Sequence, residues 1–348
     1  MVRINFVGDV ALFNVFEEKG IDPFKEVILP DSDYNIGNFE FIIPKNREKY
    51  FFDVSNNYKI GYKYFKQLNL DIFSAFSLAN NHCMDYGVDG ANDVIAVLNE
   101  KGIANFGFGS KEFNLLKFTI QGISFAVLSF VKQGRWSRSN QQPIGPDSYK
   151  VGNIISEIKG LKQSHHHVIV FPHWGTELVD VPDPKDVIIA RSFVDAGATA
   201  VIGHHPHIIQ GIEIYNNGLI AYSLGSFIYV PEKESGFKSN QDKNRNYSIC
   251  LNVSFDKGKI LAFEDHSYLY NMKQLMPMPV KKEIISDYLK TINASIGDES
   301  LYKKRIREVL LKREIIAFFE RFKESPFKTI KHYFGYIKIG HLKKILLK

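Results

Sequence analysis

The chain has 348 residues, 45% hydrophobic and 24% charged, ordinary globular proportions that exclude general disorder and allow one large domain or two modest ones. Two cysteines, Cys83 and Cys250, cannot build a disulfide framework or a thiolate zinc cage, and no apolar run reaches the about 18 residues of a membrane span. The net charge of +6 is uneven: residues 301–348 hold 14 Lys+Arg against 4 Asp+Glu, which leaves residues 1–300 at −4, so the basicity belongs to the tail and gives no ground for nucleic-acid binding.

Met1 runs at once into the strand-like RINFV at 3–7, with no leader-like segment, so a cytoplasmic protein is expected. Further strands are predicted at 33–37, 71–77, 123–130, 167–172, 198–202, 218–223, 247–255 and 259–268. A helix is predicted over 88–101, where Ala91, Val94, Ile95 and Leu98 recur at helical spacing and Gly102 supplies a stop. Another is predicted over 185–196, with Val187, Ala190 and Val194 on one face and Gly197 beyond the end. This alternation reads as an α/β domain with a largely parallel sheet. The runs joined across Asp256-Lys257-Gly258 read as a hairpin. Polar stretches at 134–150 and 231–246 are expected to be long loops following strands, where such loops often cover a site. Beyond about residue 270 the pattern turns helical, giving a main domain of 1–270 and a basic helical extension of 271–348. Leu311, Ile315, Phe318 and Phe322 fall on one stripe there. Ser325-Pro326 then starts a further helix with Ile330, Phe334 and Ile337 on one side.

Five segments place polar, metal-competent side chains just after apolar runs, where the carboxyl ends of parallel strands form the usual ligand crevice. They are VGD (7–9), GNFE (37–40), ANNH (79–82), PHWGTE (172–177) and GHHPH (203–207). Singly, the first four have plainer readings: a turn at Asp9, a loop charge at Glu40, a helix cap at Asn80-Asn81-His82, a core histidine at His173. The last is stronger, because three histidines in four positions after an apolar run are costly to bury without partners. Pro206 rigidifies the turn between His205 and His207 and can aim both imidazoles at one place. Together the Asp, Glu, Asn and His residues suit a one- or two-metal hydrolytic centre, holding borderline ions such as Mn, Zn or Fe. The run His165-His166-His167 begins the strand that ends at Pro172. It is placed at the opposite sheet edge, about 20 Å from His173 at the rise of an extended strand, and is expected to be solvated.

The pieces FVGDV (6–10), NFE (38–40), SLANNHCMDYG (77–87), HWGTE (173–177) and IGHHPHIIQGIEIYNNGLIAYSLGSFIY (202–229) resemble the CapA family of capsule or poly-γ-glutamate synthesis proteins. The resemblance spans roughly residues 3–268. It implies a metallophosphatase-like, layered α/β sandwich related to calcineurin-like phosphoesterases, with the site at the strand ends. It further implies Asp9 and Glu40 as carboxylate ligands, Glu40 bridging, and Asn81 as a metal or substrate-oxygen ligand. His173 and His205 would bind one divalent metal and His207 the other, with His82, held by Asp85, as a proton donor or transition-state contact. Glu177 would ligate or orient His173, and His204, Trp174 and Ser226 would lie around the ligands or against substrate.

Two departures stand out. The first motif reads Asp9-Val10-Ala11 where phosphoesterases carry Asp-x-His, and the last reads Leu224-Gly225-Ser226-Phe227 where the family commonly has Leu-Gly-Asn-Phe. One metal site therefore loses an imidazole. The expected function is a metal-dependent hydrolase acting on a phosphoester or an amide of an anionic polymer or its precursor. The alternative is a non-catalytic scaffold for polymer synthase components. The tail 301–348 either packs on the sandwich or lies on an anionic inner membrane face.

Overall fold

Alternation of apolar residues along each strand decides which layer every side chain enters. The computed structural model describes residues 1–41, 61–110, 112–132, 144–147, 149–229 and 243–326. In chain order the elements are β1 (Val2–Val10), α1 (Asn14–Lys19), β2 (Tyr34–Phe39), α2 (Tyr62–Phe65), β3 (Ala75–Ser77), α3 (Gly87–Glu100), β4 (Ala104–Phe106), β5 (Phe108–Gly109), β6 (Leu116–Ile120), β7 (Ile123–Val131) and β8 (Gly145–Pro146). They continue with α4 (Val151–Lys162), β9 (His167–His173), α5 (Pro184–Asp195), β10 (Ala200–Ile202), β11 (Ile212–Tyr215), β12 (Gly218–Ala221), β13 (Ser226–Ile228), β14 (Tyr247–Phe255), β15 (Ile260–Asn271), β16 (Met276–Pro279), α6 (Glu283–Ala294) and α7 (Glu299–Glu324).

These strands make two large sheets rather than the one that alternation alone suggested. The first runs β16-β15-β14-β1-β2-β3-β4, with β13 also paired to β1, and the second runs β11-β12-β10-β9-β7-β6. In the first, β1 to β4 are parallel, while β14, β15 and β16 form an antiparallel meander that includes the predicted hairpin. In the second, β7, β9, β10 and β12 are parallel between antiparallel edge strands β6 and β11. Apolar periodicity marks a strand but carries no information on which sheet it joins, and that is where the single-sheet expectation fails.

Between the sheets lie Ile4 and Phe6 of β1, Phe125 and Val127 of β7, Ile169 and Phe171 of β9, and Leu251 and Val253 of β14. Their alternate neighbours Ala126, Leu128, Phe130, Val168 and Val170 point outward to α4 and α5. On the far side Val7, Phe39 and Phe76 pack with Ala91, Val94 and Leu98 of α3. The architecture is a four-layer helix–sheet–sheet–helix sandwich. Each fully buried Phe in it contributes roughly 1.5–3 kcal/mol of transfer free energy.

The first sheet continues past residue 270 through its edge strand β16. Ile285, Leu289 and Ile292 of α6 enter the core between the sheets. In α7 the expected stripe does not pack on the sandwich: Leu311 and Ile315 are 57% and 46% exposed. Among the described residues no helix is long and apolar enough to cross a membrane. The expected helix after Ser325-Pro326 and most of the two long polar loops fall outside the described residues.

The triple histidine also differs from expectation. His167 is fully buried, stacked on Phe125 and tilted against Phe255. Its Nδ1 lies 3.3 Å from Thr199 Oγ1, and its Nε2 donates to the Asp256 carbonyl. The β14–β15 turn folds over that end of β9, and burial lowers the His167 pKa.

Candidate metal centre

The parallel strands of both sheets end along one edge of the sandwich, and the chemistry-bearing residues sit there. Asp9 is near the end of β1, in register with Asn38 of β2 and Ser226 of β13. Glu40 follows β2, and Asn81 and His82 follow β3 by a few residues. From the second sheet, His173 ends β9 and the 203–207 turn leaves β10. Two glycines allow the close approach. A Cβ at Gly8 would stand 1.9 Å from the Gly225 carbonyl oxygen, and one at Gly203 would stand 2.0 Å from that of Tyr222. His205 and His207 have φ of 100° and 57° on either side of Pro206. That backbone costs of order 1–3 kcal/mol per residue and persists only where surroundings over-determine it.

Two overlapping sets of three ligand atoms result. Glu40, His173 and His205 form one, and Asp9, Glu40 and His207 the other, each with its ligand atoms within 4.8 Å of one another. Glu40 belongs to both and is fully buried. Its Oε1 lies 3.6 Å from His173 Nε2 and 3.5 Å from His207 Nε2, beyond hydrogen-bond range, and has no hydrogen-bond partner. An orphaned buried carboxylate oxygen is expensive unless something charged meets it. Bond lengths of about 2.1 Å to a tetrahedral ion put neighbouring ligand atoms about 3.4 Å apart, so the observed spacing and donor types fit a divalent cation.

Amides and backbone groups fix these candidate ligands. Asn38 Nδ2 donates to Asp9 Oδ1 at 2.8 Å and lies 3.3 Å from His173 Nδ1. The His205 backbone N–H donates to Asp9 Oδ2 at 3.2 Å. His207 Nδ1 stands 3.2 Å from the same oxygen and 3.1 Å from Ser226 Oγ. Asn81 Oδ1 reaches to 2.7 Å from His173 Nε2. His82 Nδ1 is 2.8 Å from Asp85 Oδ2, both side chains 13% exposed.

The electrostatics follow from burial opposed by charge. Burial pushes Asp9 upward, but the hydrogen bond and charge of His207, with His204 and His173 beyond, hold it below the usual carboxylate range. Glu40 is raised well above its ordinary value, by burial first and then by the charges of Asp9 and Glu177. Burial, reinforced by His205, pushes His173 far down. His205 falls to about 4, chiefly through burial. Both imidazoles are therefore neutral at pH 7, the form that ligates a metal.

The remaining predicted residues lie at varying distance from the ligands. Glu177 pairs with Arg313 of α7 at 2.7 Å; burial pushes its pKa up, but His205 and His207 in their protonated forms, together with Arg313, bring it below the ordinary carboxylate value. His204 is buried between the sheets, its Nε2 donating to the Val7 carbonyl at 3.1 Å and its ring 4.1 Å from that of Phe171. Trp174 turns to the outer face, donating from Nε1 to the Tyr222 carbonyl in the core beside α5. Ser226 touches His207, as does the ring of Tyr229 at 4.6 Å. Sequence reasoning gave no site role to Asn38, which orients Asp9, or to Asn80, read only as part of a cap, which donates to the Phe39 carbonyl at 2.7 Å and accepts from the His82 N–H. Their positions inside the quoted segments, one or two residues from a ligand, were the available signal. Arg313 and Tyr302 were not foreseen either, because their contacts cross more than 120 residues of chain.

PGA biosynthesis protein CapA of Bacillus subtilis is 28% identical over 329 residues, covering 88% of this chain and 81% of that protein. Capsule biosynthesis protein CapA of Bacillus anthracis is 32% identical over 247 residues, 66% of this chain and 60% of that protein, so the chain spans less than two-thirds of the latter. A solved 5'-nucleotidase precursor from Thermus thermophilus aligns over 84% of this chain and 58% of its own, at 13% identity and a TM-score of 0.45. The family model described as bacterial capsule synthesis protein PGA_cap matches residues 3–230, a span that holds every residue of both ligand sets, and the chain belongs to that family.

Proposed function

We propose that the chain is a metal-dependent hydrolase serving the synthesis or modification of a capsule or poly-γ-glutamate-type polymer. The observation that carries this reading is the pair of ligand sets sharing buried Glu40, whose Oε1 has no hydrogen-bond partner. Asp9, Glu40 and His207 would hold one divalent ion, and Glu40, His173 and His205 another, with Asn81 beside the second. Mn, Zn or Fe suit such carboxylate–imidazole sets. Bound there, the ion supplies Lewis-acid polarisation of a phosphoryl or carbonyl oxygen and activation of water.

The chain's own residues do the rest. Asn38 and the His205 N–H aim the Asp9 carboxylate, and burial keeps His173 and His205 free of protons. Asp85 holds the His82 ring through Nδ1, and His82 would pass a proton to the leaving group. Resemblance to phosphoesterases favours a phosphoester, while the names of the Bacillus subtilis and Bacillus anthracis relatives favour polymer-linked substrates, including a γ-glutamyl amide.

The test is turnover of chromogenic phosphomonoester, phosphodiester and γ-glutamyl anilide substrates with added Mn. Hydrolysis lost in His82→Ala, with metal retained, supports the reading. No turnover of any substrate by the metal-loaded protein would overturn it. One observation favours a non-catalytic scaffold: Ala11, at the position of the missing imidazole, is fully buried in the apolar core and adds nothing to the Asp9 set. Exposed Leu311 and Ile315 on α7, amid basic residues, favour contact with an anionic membrane face. Sedimentation with anionic liposomes at low salt would reveal it, and free protein in the supernatant would exclude it.

A further inference from the structure

Helix α7 does not float free of the candidate centre. Its residues 302–313 grip residues 176–181, part of the segment that links His173 to α5. Thr176 Oγ1 lies 3.0 Å from Tyr302 Oη, Arg313 Nη2 donates to Glu177 Oε2 at 2.7 Å, and Arg305 pairs with Asp180 at 3.1 Å. Between these polar contacts Val179 and Val181 are buried with Tyr302 against Ile306 and Val309. This is a small apolar cluster apart from the main cores, built from the segment and the helix alone.

The same segment is bonded on its inner side to the ligand turn. The Leu178 N–H donates to the Pro206 carbonyl at 2.8 Å. Gln210 Nε2 donates to the Val179 carbonyl at 2.8 Å. A Cβ at Gly175, whose φ is +85°, would stand 3.1 Å from the Pro206 ring. Pro206 separates His205 and His207, the two histidines in left-handed backbone conformations. Each needs its neighbours to hold it there. A continuous set of contacts thus runs from α7 through 176–181 to the turn that carries two of the candidate ligands.

We propose that α7 is a positioning element of this centre: through Tyr302 and Arg313 it clamps residues 176–181, which hold His205 and His207 in their strained conformation. The C-terminal helix is then part of the site's construction rather than an appendage. The metal side of this inference rests on the function proposed above, and the mechanical side does not.

Backbone hydrogen exchange would be followed by mass spectrometry on the full chain, with a parallel Mn titration by calorimetry. The variants are Arg313→Gln, the double variant Tyr302→Phe/Arg313→Gln, Arg313→Lys and the exposed-site control Leu311→Ala. Loss of the clamp raises exchange of the 203–210 amides on the order of tenfold in the double variant, because local opening there becomes easier. Mn affinity weakens in step. Arg313→Lys, which keeps the ion pair, restores most of the protection, and Leu311→Ala changes nothing. The β14–β15 hairpin keeps its protection throughout, which separates a local effect from general unfolding. If the double variant fails to fold, Arg313→Gln alone decides by the same readout. Unchanged exchange at 203–210 in a folded clamp variant would overturn the proposal. Raised exchange in a chain whose wild type takes up no Mn would uphold the clamp and remove the metal reading instead.

Discussion

Replacing Glu40 with Gln should move stability and metal binding in opposite directions. Glu40 is fully buried, its Oε1 lacks a hydrogen-bond partner, and Asp9 and Glu177 add like charge nearby. In the metal-free chain this carboxyl is a source of strain. A buried group left unsatisfied costs about 1–3 kcal/mol, and this carboxyl must in addition either take up a proton or bear burial and the like charges of Asp9 and Glu177, a cost that an isosteric neutral amide does not carry. At roughly 2 °C per kcal/mol for a chain of this size, metal-free Glu40→Gln should melt a few degrees above wild type. With metal the order reverses. An ion at about 100 times its dissociation constant stabilises wild type by about 2.7 kcal/mol, and Glu40→Gln loses most of that gain because it removes the carboxylate common to both sets. The assay is thermal unfolding by circular dichroism in chelator and in excess Mn. A metal-free variant that melts below wild type, or one that keeps the full Mn shift, would refute the assignment of Glu40 as a strained shared ligand.

Other consequences are open to measurement. His82→Ala should lower hydrolysis by about 10²–10⁴-fold while metal content stays at the wild-type level, and Asp85→Asn should cost about 10–100-fold by freeing the ring; equal loss of metal in either variant would make the pair structural. Mn affinity should rise with pH and binding should release protons. Glu40 is held above its ordinary pKa, so its proton competes with the ion and leaves as pH rises, whereas His205, near 4, has none to give at pH 7. Calorimetry in buffers of different ionisation enthalpy measures this, and no proton release would contradict the Glu40 assignment. Metal-free protein should show the His205 part of its stability intact above about pH 6.5, and lose it as pH falls toward about 4. The unfolded imidazole takes up a proton in that window and the buried one does not; replacing His205 with Gln should flatten that portion of the pH–stability curve. Gly203→Ala, with its Cβ 2.0 Å from a carbonyl oxygen, should destabilise by about 1–3 kcal/mol, and a melting temperature equal to wild type would show that the strand ends relax more readily than their packing implies.

The elements were legible in the sequence where local pattern decides them. Helices at 87–100 and 184–195 and the hairpin of β14 and β15 lie within a residue or a few of their predicted limits, because spacing, glycine stops and an Asp-Lys-Gly turn are local signals. That the five polar segments gather at one edge was legible for a related reason: each polar residue follows an apolar strand that must end at the crevice edge. Side-chain direction was harder. His173 and Trp174 are adjacent, and because strand side chains alternate, one faces the ligands while the other enters the outer core against Tyr222. Partition into two sheets, burial of His167 beneath the β14–β15 turn, and docking of α7 on 176–181 all depend on contacts between distant parts of the chain. Nothing in local periodicity encodes them.

The most direct measurement is an anomalous difference map from crystals of the Mn-loaded protein. One or two peaks are expected at about 2.0–2.2 Å from ligand atoms, one among Glu40, His173 and His205 and any second among Asp9, Glu40 and His207. Crystals that take up no Mn at these positions, or that hold it only elsewhere on the molecule, would contradict the shared-carboxylate centre.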